Sequence, residues 1–148
     1  MASNNYSQGA QVEHLKFISS IGTPTLSQMA IAEFLANGGY DHHLRKLRRF
    51  YAEQVPRVTQ AITRYFPAET KVTRPAGGYV LWVELPPRVN SLALFRKALA
   101  EKISIAPGPI FSAKRKLENF IRLSCGAPWS EAMDRALLTL GQLCSRMM

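Results

Sequence analysis

Seven apolar residues, Leu44, Leu47, Tyr51, Val55, Val58, Ile62 and Tyr65, recur at steps of three and four, the spacing of one face of a long α-helix. After Phe66-Pro67 the period falls to two. Tyr79, Leu81, Val83 and Leu85 alternate with Val80, Trp82 and Glu84 between Gly77-Gly78 and Pro86-Pro87, which marks a strand with one buried face. A chain that changes period in this way must lay an amphipathic helix against a sheet. Pro56 lies inside the helical run and is expected to kink it about one turn earlier, because proline lacks an N–H and crowds the preceding carbonyl.

The flanking segments extend the pattern. Met1 to Gly9 are polar and patternless, and are expected to fray as a disordered N-terminus (residues 1–9). Val12, Leu15 and Ile18 predict a first helix over Ala10 to Ser19, with Lys16 turned away, and SIGTP ends it. Thr25 with Gln28 reads as a capping box opening a second helix that carries Leu26, Met29, Ala30, Phe34 and Leu35. Asn37-Gly38-Gly39 stops it, and Asp41 is placed to cap the long third helix.

Downstream, Ser91 is expected to cap a helix whose buried stripe is Leu92, Phe95, Ala98 and Leu99. Ile103 to Ala106 reads as a short strand, PGPIF as a turn and AKRKLEN as a polar loop. In the strand from Phe120 to Cys125, Ile121, Leu123 and Cys125 share one face and Phe120, Arg122 and Ser124 the other. Ser130 caps a last helix with Met133, Leu137, Leu140, Cys144 and Met147 at helical spacing. The fold class expected is α/β, in the form of an α+β-like small domain. Three N-terminal helices lead into a small, mainly antiparallel sheet with helices packed on one side. Those three helices either form a bundle or flank a sheet that the chain does not contain.

The formal charge of +9 over 148 residues favours an anionic partner. On the long helix, Arg45, Lys46, Arg48 and Arg49, with Arg57 further along, face away from the apolar stripe. Such a face suits nucleic acid, plain solvation or an acidic docking surface. Cys125 and Cys144 lack any CxxC spacing and indicate two thiols in a reducing compartment, with no disulfide framework or zinc site. His42 and His43 are adjacent and cannot share a helical face as metal ligands. No apolar run approaches a membrane span and no signal sequence is recognisable, so a cytoplasmic location without membrane association is expected. Gly77-Gly78 is followed by a strand rather than a helix, and a nucleotide-binding turn fails on that context.

Arg122 stands between Ile121 and Leu123 in the last strand. From the residues alone it either lies on a solvated sheet face or meets an anion with its planar fork.

Five segments in register, GTPTLSQMAIAEFL, GGYDHHLRKLRRFY, RPAGGYVLWVELP, ISIAPGPIFS and NFIRLSC, resemble the C-terminal part of the fold-type I pyridoxal-phosphate (PLP) dependent aminotransferases, and in particular the aminotransferase-like region of MocR-type GntR transcriptional regulators. The resemblance runs from about Val12 to the end. It implies that Arg122 is the substrate-binding arginine that grips the ligand's α-carboxylate, with Gly77, Gly78, Tyr79, Phe111 and Ser112 as candidate cleft-wall residues. It further implies a helical remnant of the PLP-binding large domain at residues 10–40 and the small domain at residues 41–148, with the stretch around Ser19 to Thr25 directed toward a partner subunit.

In the family the Schiff-base lysine, the aspartate on the pyridine nitrogen and the phosphate-binding residues lie upstream of this stretch, and Lys16 does not replace that lysine. The resemblance therefore implies a fragment that is inactive alone, with no catalytic, cofactor-binding or metal-binding residue of its own. PLP would be bound in the full-length parent and not by this chain. The implied partners are the missing large domain, an amino-acid or amine-derived small molecule, a second subunit of a homodimer, and DNA through an absent N-terminal winged helix. The other reading is a stand-alone basic module that binds nucleic acid or a small ligand.

Overall fold

The computed structural model describes residues 8–20, 22, 24–114 and 116–148. The expected fraying of residues 1–9 falls mostly outside them, since only Gln8 and Gly9 are described, and both are helical. Helix α1 spans Gln8–Ser20, α2 Thr25–Ala36 and α3 Gly39–Tyr65. The elements that follow are β1 (Lys71–Val72), β2 (Val80–Glu84), α4 (Ser91–Ala100), β3 (Ala106–Pro107), a 3-10 turn (Gly108–Phe111), β4 (Phe120–Ser124) and α5 (Glu131–Ser145). The chain divides into two compact units, Met1–Arg45 and Lys46–Met148.

In the first unit no described side chain is buried. Leu26, Met29 and Ile31 of α2 are exposed, as are Val12, Leu15, Phe17 and Ile18 of α1. The expected capping box does not open α2. Pro24 occupies the N-cap position without a side-chain hydrogen bond, and Thr25 is already helical. Proline there has an extended ψ of 121°, and the helical turns follow from Thr25. Asp41 likewise lies in the first turn of α3, which begins at Gly39.

The second unit carries the core. Helix α3 runs through Pro56, which leaves the Ala52 carbonyl without its helical donor. Val58, Ala61 and Ile62 of α3, Leu94 and Ala98 of α4, and Leu137, Leu140 and Cys144 of α5 pack with Leu81, Val83 and Ile121 of the sheet. Each fully buried aliphatic side chain in that layer contributes on the order of 1.5–3 kcal/mol. The sheet is antiparallel throughout, in the order β1-β2-β4-β3. The two-residue strand β1, which carries no period of its own, was not expected from the sequence.

Two other expectations shift by a residue or more. Asn90 caps α4, accepting from the N–H groups of Leu92 and Ala93 at 3.1 and 3.0 Å, and Ser91 is the buried first residue of the helix. The buried stripe is accordingly Ser91, Leu94 and Ala98, while Leu92 and Leu99 are exposed. Strand β3 is Ala106–Pro107 rather than Ile103 to Ala106, because only those two residues find pairing positions on β4. Ser130 caps α5 as expected, accepting from the Met133 N–H at 3.2 Å. Among the described residues no helix is long and apolar enough to cross a membrane.

Candidate functional site

Strand β4 is an interior strand, paired with β2 on one side and β3 on the other. Its alternation sends Ile121 into the core and Arg122 to the opposite face. Across the ladder Arg122 stands opposite Trp82 on β2 and Ala106 on β3. The pleat puts these neighbours on the same face of the sheet, the face turned away from α3, α4 and α5.

On that face an aromatic support meets the arginine. The 3-10 turn after β3 delivers Phe111, whose ring lies 4.3 Å from the Arg122 guanidinium carbon. Trp82 meets the same ring edge-on with centroids 5.3 Å apart. The turn can take this position because residue 108 is glycine. A Cβ there would run into the Leu117 carbonyl oxygen and come within 2.9 Å of the Phe120 carbonyl oxygen.

Arg122 is exposed. Neither ion pair among the described residues, Lys71–Glu84 or Arg135–Glu131, involves it. The guanidinium is stacked on one face and leaves its N–H edges open, the arrangement that accepts a carboxylate by two parallel hydrogen bonds.

The other expected wall residues divide. Gly77 and Gly78 border a separate recess of about 430 Å³ between α3 and the chain before β2, which Arg48, Tyr51 and Val55 also line. Gly78 has φ +86°, a backbone state that side chains resist. Tyr79 stacks on Tyr51 with centroids 5.1 Å apart, and its carbonyl accepts from the Cys125 N–H at 2.7 Å. This ties the recess to the end of the β2–β4 pair from which Arg122 is set back by three residues. Ser112 is engaged locally, its hydroxyl accepting from the Lys116 N–H at 3.1 Å. Of the stretch from Ser19 to Thr25, Ile21 and Thr23 lie outside the described residues.

Trp82 was visible in the sequence only as one term of an alternation. Its place beside Phe111 depends on the strand register, which no local pattern reveals. Gln54 was also missed. It is buried in α3, and its side-chain oxygen accepts from the Trp129 N–H at 2.8 Å.

Beyond this site, the Tyr65 hydroxyl donates to both carboxylate oxygens of Asp134 at 3.0 and 3.1 Å. That bond, followed by burial, raises the Tyr65 pKa. Burial pushes the thiols of Cys125 and Cys144 up to about 11.

PLP needs a lysine amine facing a pocket and a cradle for its phosphate. Among the described residues, recesses beside α3 and the start of α5 are lined without lysine, and the face around Arg122 presents one arginine among aromatic rings. These residues do not by themselves fit the cofactor.

No family model matches the chain. An uncharacterized HTH-type transcriptional regulator of Escherichia coli, YjiR, is 40% identical over 136 residues, which is 91% of this chain and 29% of the regulator. The 2-aminoadipate transaminase of Thermus thermophilus is 36% identical over 124 residues, 84% of this chain and 31% of the enzyme. Among solved structures, LysN, the α-aminoadipate aminotransferase of Thermus thermophilus complexed with N-(5'-phosphopyridoxyl)-L-leucine, matches with a TM-score of 0.80 at 32% identity, covering 93% of this chain and 36% of that one. The chain thus spans about a third of the length of the relatives it matches.

Proposed function

We propose that the chain, homologous to the C-terminal region of the fold-type I aminotransferases and of the MocR-type HTH regulators, works as the ligand-gripping small domain of a longer aminotransferase-like regulator. Residues 41–148 would form that domain, and residues 10–40 would belong to the large PLP-binding domain. The exposed apolar side chains of α1 and α2 suit a segment that is covered by further chain.

The observation that carries the reading is the open guanidinium of Arg122, stacked on Phe111 at 4.3 Å from an interior strand. In the longer protein it would receive the α-carboxylate of an amino-acid or amine-derived ligand. Each charge-assisted hydrogen bond contributes about 1.5–3 kcal/mol. PLP, held by residues outside this chain, would supply the electron sink. The role of this chain is to bind and orient, so it should be inactive alone. Movement of the small domain onto the ligand would be the two-state element read by a DNA-binding winged helix in a homodimeric parent.

The test is Arg122→Lys in a protein that joins this region to its PLP-binding domain. A lysine keeps the charge and loses the fork, so carboxylate ligands should bind at least about tenfold more weakly while PLP uptake, followed by its absorbance, is unchanged. Equal ligand affinity in the two proteins would remove Arg122 from the site.

A further inference from the structure

The exposed side of α3 carries an order that the carboxylate site does not use. Lys46, Arg49, Glu53, Arg57, Gln60 and Arg64 follow one another at steps of three and four, and all six are exposed. At 100° per residue they share one narrow stripe, opposite the buried Val58 and Ile62. Arg48 falls outside the stripe and lines the recess beside Tyr51. Four of the six positions are cationic and Glu53 is the one acid among them.

None of the four cations takes part in an ion pair among the described residues. Toward the helix C-terminus, Arg57, Gln60 and Arg64 share an open recess of about 360 Å³ with Trp129 and Tyr65. The acid in that recess, Asp134, is held by the Tyr65 hydroxyl, and Glu131 on the adjoining turn pairs with Arg135.

We propose that this stripe of α3 is a docking surface for the phosphate backbone of nucleic acid. From Lys46 to Arg64 the helix rises about 27 Å, long enough to follow a run of phosphates. Neighbouring like charges such as Lys46 and Arg49 at i,i+3 repel and weaken a free helix, and a polyanion reverses the sign of that effect. The choice of nucleic acid over another polyanion rests on the reading of the chain as part of a DNA-bound regulator. The stripe would then be a second contact, separate from the winged helix and carrying no base specificity of its own.

Binding of this chain to a short labelled DNA duplex, read by fluorescence anisotropy across a salt series, tests the proposal. Four neutralised phosphates give a log–log salt slope of about −3.6, or about a 150-fold loss of affinity between 50 and 200 mM salt. The triple variant Arg49→Gln, Arg57→Gln, Arg64→Gln should flatten the slope by about 2.7. Arg88→Gln, Arg96→Gln, Lys97→Gln removes equal charge elsewhere on the unit and should leave the slope nearly unchanged. Circular dichroism checks that both variants keep their helices.

Equal flattening by the two triples would overturn the proposal in favour of diffuse attraction by net charge. Displacement of the duplex by polyglutamate of matched charge, as readily as by unlabelled duplex, would overturn it in favour of an acidic protein surface. Either failure leaves the role of Arg122 standing, since that is read by carboxylate binding in the joined protein.

Discussion

The guanidinium carbon of Arg122 lies 4.3 Å from the centroid of the Phe111 ring, so the residue proposed to receive a carboxylate is held on an aromatic plate rather than by a counter-ion. A carboxylate partner would have to be displaced before a ligand could bind. A ring does not compete for the N–H edges. At an exposed site the contact is worth about 0.5–1 kcal/mol. Phe111→Ala also removes the edge-on contact with Trp82, so it should lower the unfolding free energy of this chain by about 1–2.5 kcal/mol, and in the joined protein it should weaken carboxylate ligands severalfold. Phe111→Tyr, which keeps the ring, should restore binding. Titration of a carboxylate ligand against the three proteins checks it.

Gly108 places that ring. The Cβ of an alanine there would meet the Leu117 and Phe120 carbonyl oxygens, and backbone atoms cannot swing aside as a side chain can. Gly108→Ala should cost about 1–3 kcal/mol through the backbone shift it forces. Chemical denaturation would measure this. The amide resonances of Phe111 and Arg122 should move with it, and an unchanged spectrum at these two residues would separate the turn from the site.

The residues made Arg122's face legible and the resemblance named Phe111 as a wall residue, while the remaining surroundings stayed dark, for different physical reasons. Period-two alternation assigns faces locally, so Ile121 inward and Arg122 outward could be read from five residues. The meeting of Arg122 with Trp82 and Phe111 needs the β2–β4 register and the path of the turn after β3. Helix α4 shows the reverse difficulty. Leu92 and Leu99 are apolar yet exposed, whereas Ala98 and Phe95 of the expected stripe do pack on the core, which the helix also reaches through Leu94. Strand β1 is two residues long and exists through its pairing with Val83 and Glu84.

Stability should fall as the solution becomes alkaline. Cys125 and Cys144 titrate at about 11 in the folded chain against 9.0 for the unperturbed thiol, because burial disfavours the thiolate. Tyr65 is raised as well, first by its bond to Asp134. A raised folded pKa means that the unfolded chain loses its protons first. The stabilisation is therefore complete below about pH 9 and drains away as the pH climbs toward about 11. The urea midpoint should hold near pH 8 and drop by pH 10.5, with a smaller drop in the double variant Cys125→Ala, Cys144→Ala. A midpoint independent of pH over that range would contradict the burial of the two thiols.

The start of α4 allows two neighbouring residues to be told apart. Asn90 accepts from two N–H groups of the first turn, whereas the buried Ser91 hydroxyl has no hydrogen-bond partner. Removing the first leaves helix donors unmet, so Asn90→Ala should cost about 1 kcal/mol. Removing the second deletes a polar group that gains nothing from its position. The backbone N–H of Ser91, which donates to the Glu118 carbonyl at 2.7 Å, is untouched by the change. Ser91→Ala should thus be neutral or slightly stabilising, since an unsatisfied buried hydroxyl carries a desolvation cost of about 1–3 kcal/mol. Urea denaturation of the two single variants checks the pair. The opposite ranking would mean that Ser91, the residue that the sequence singled out, is the true cap.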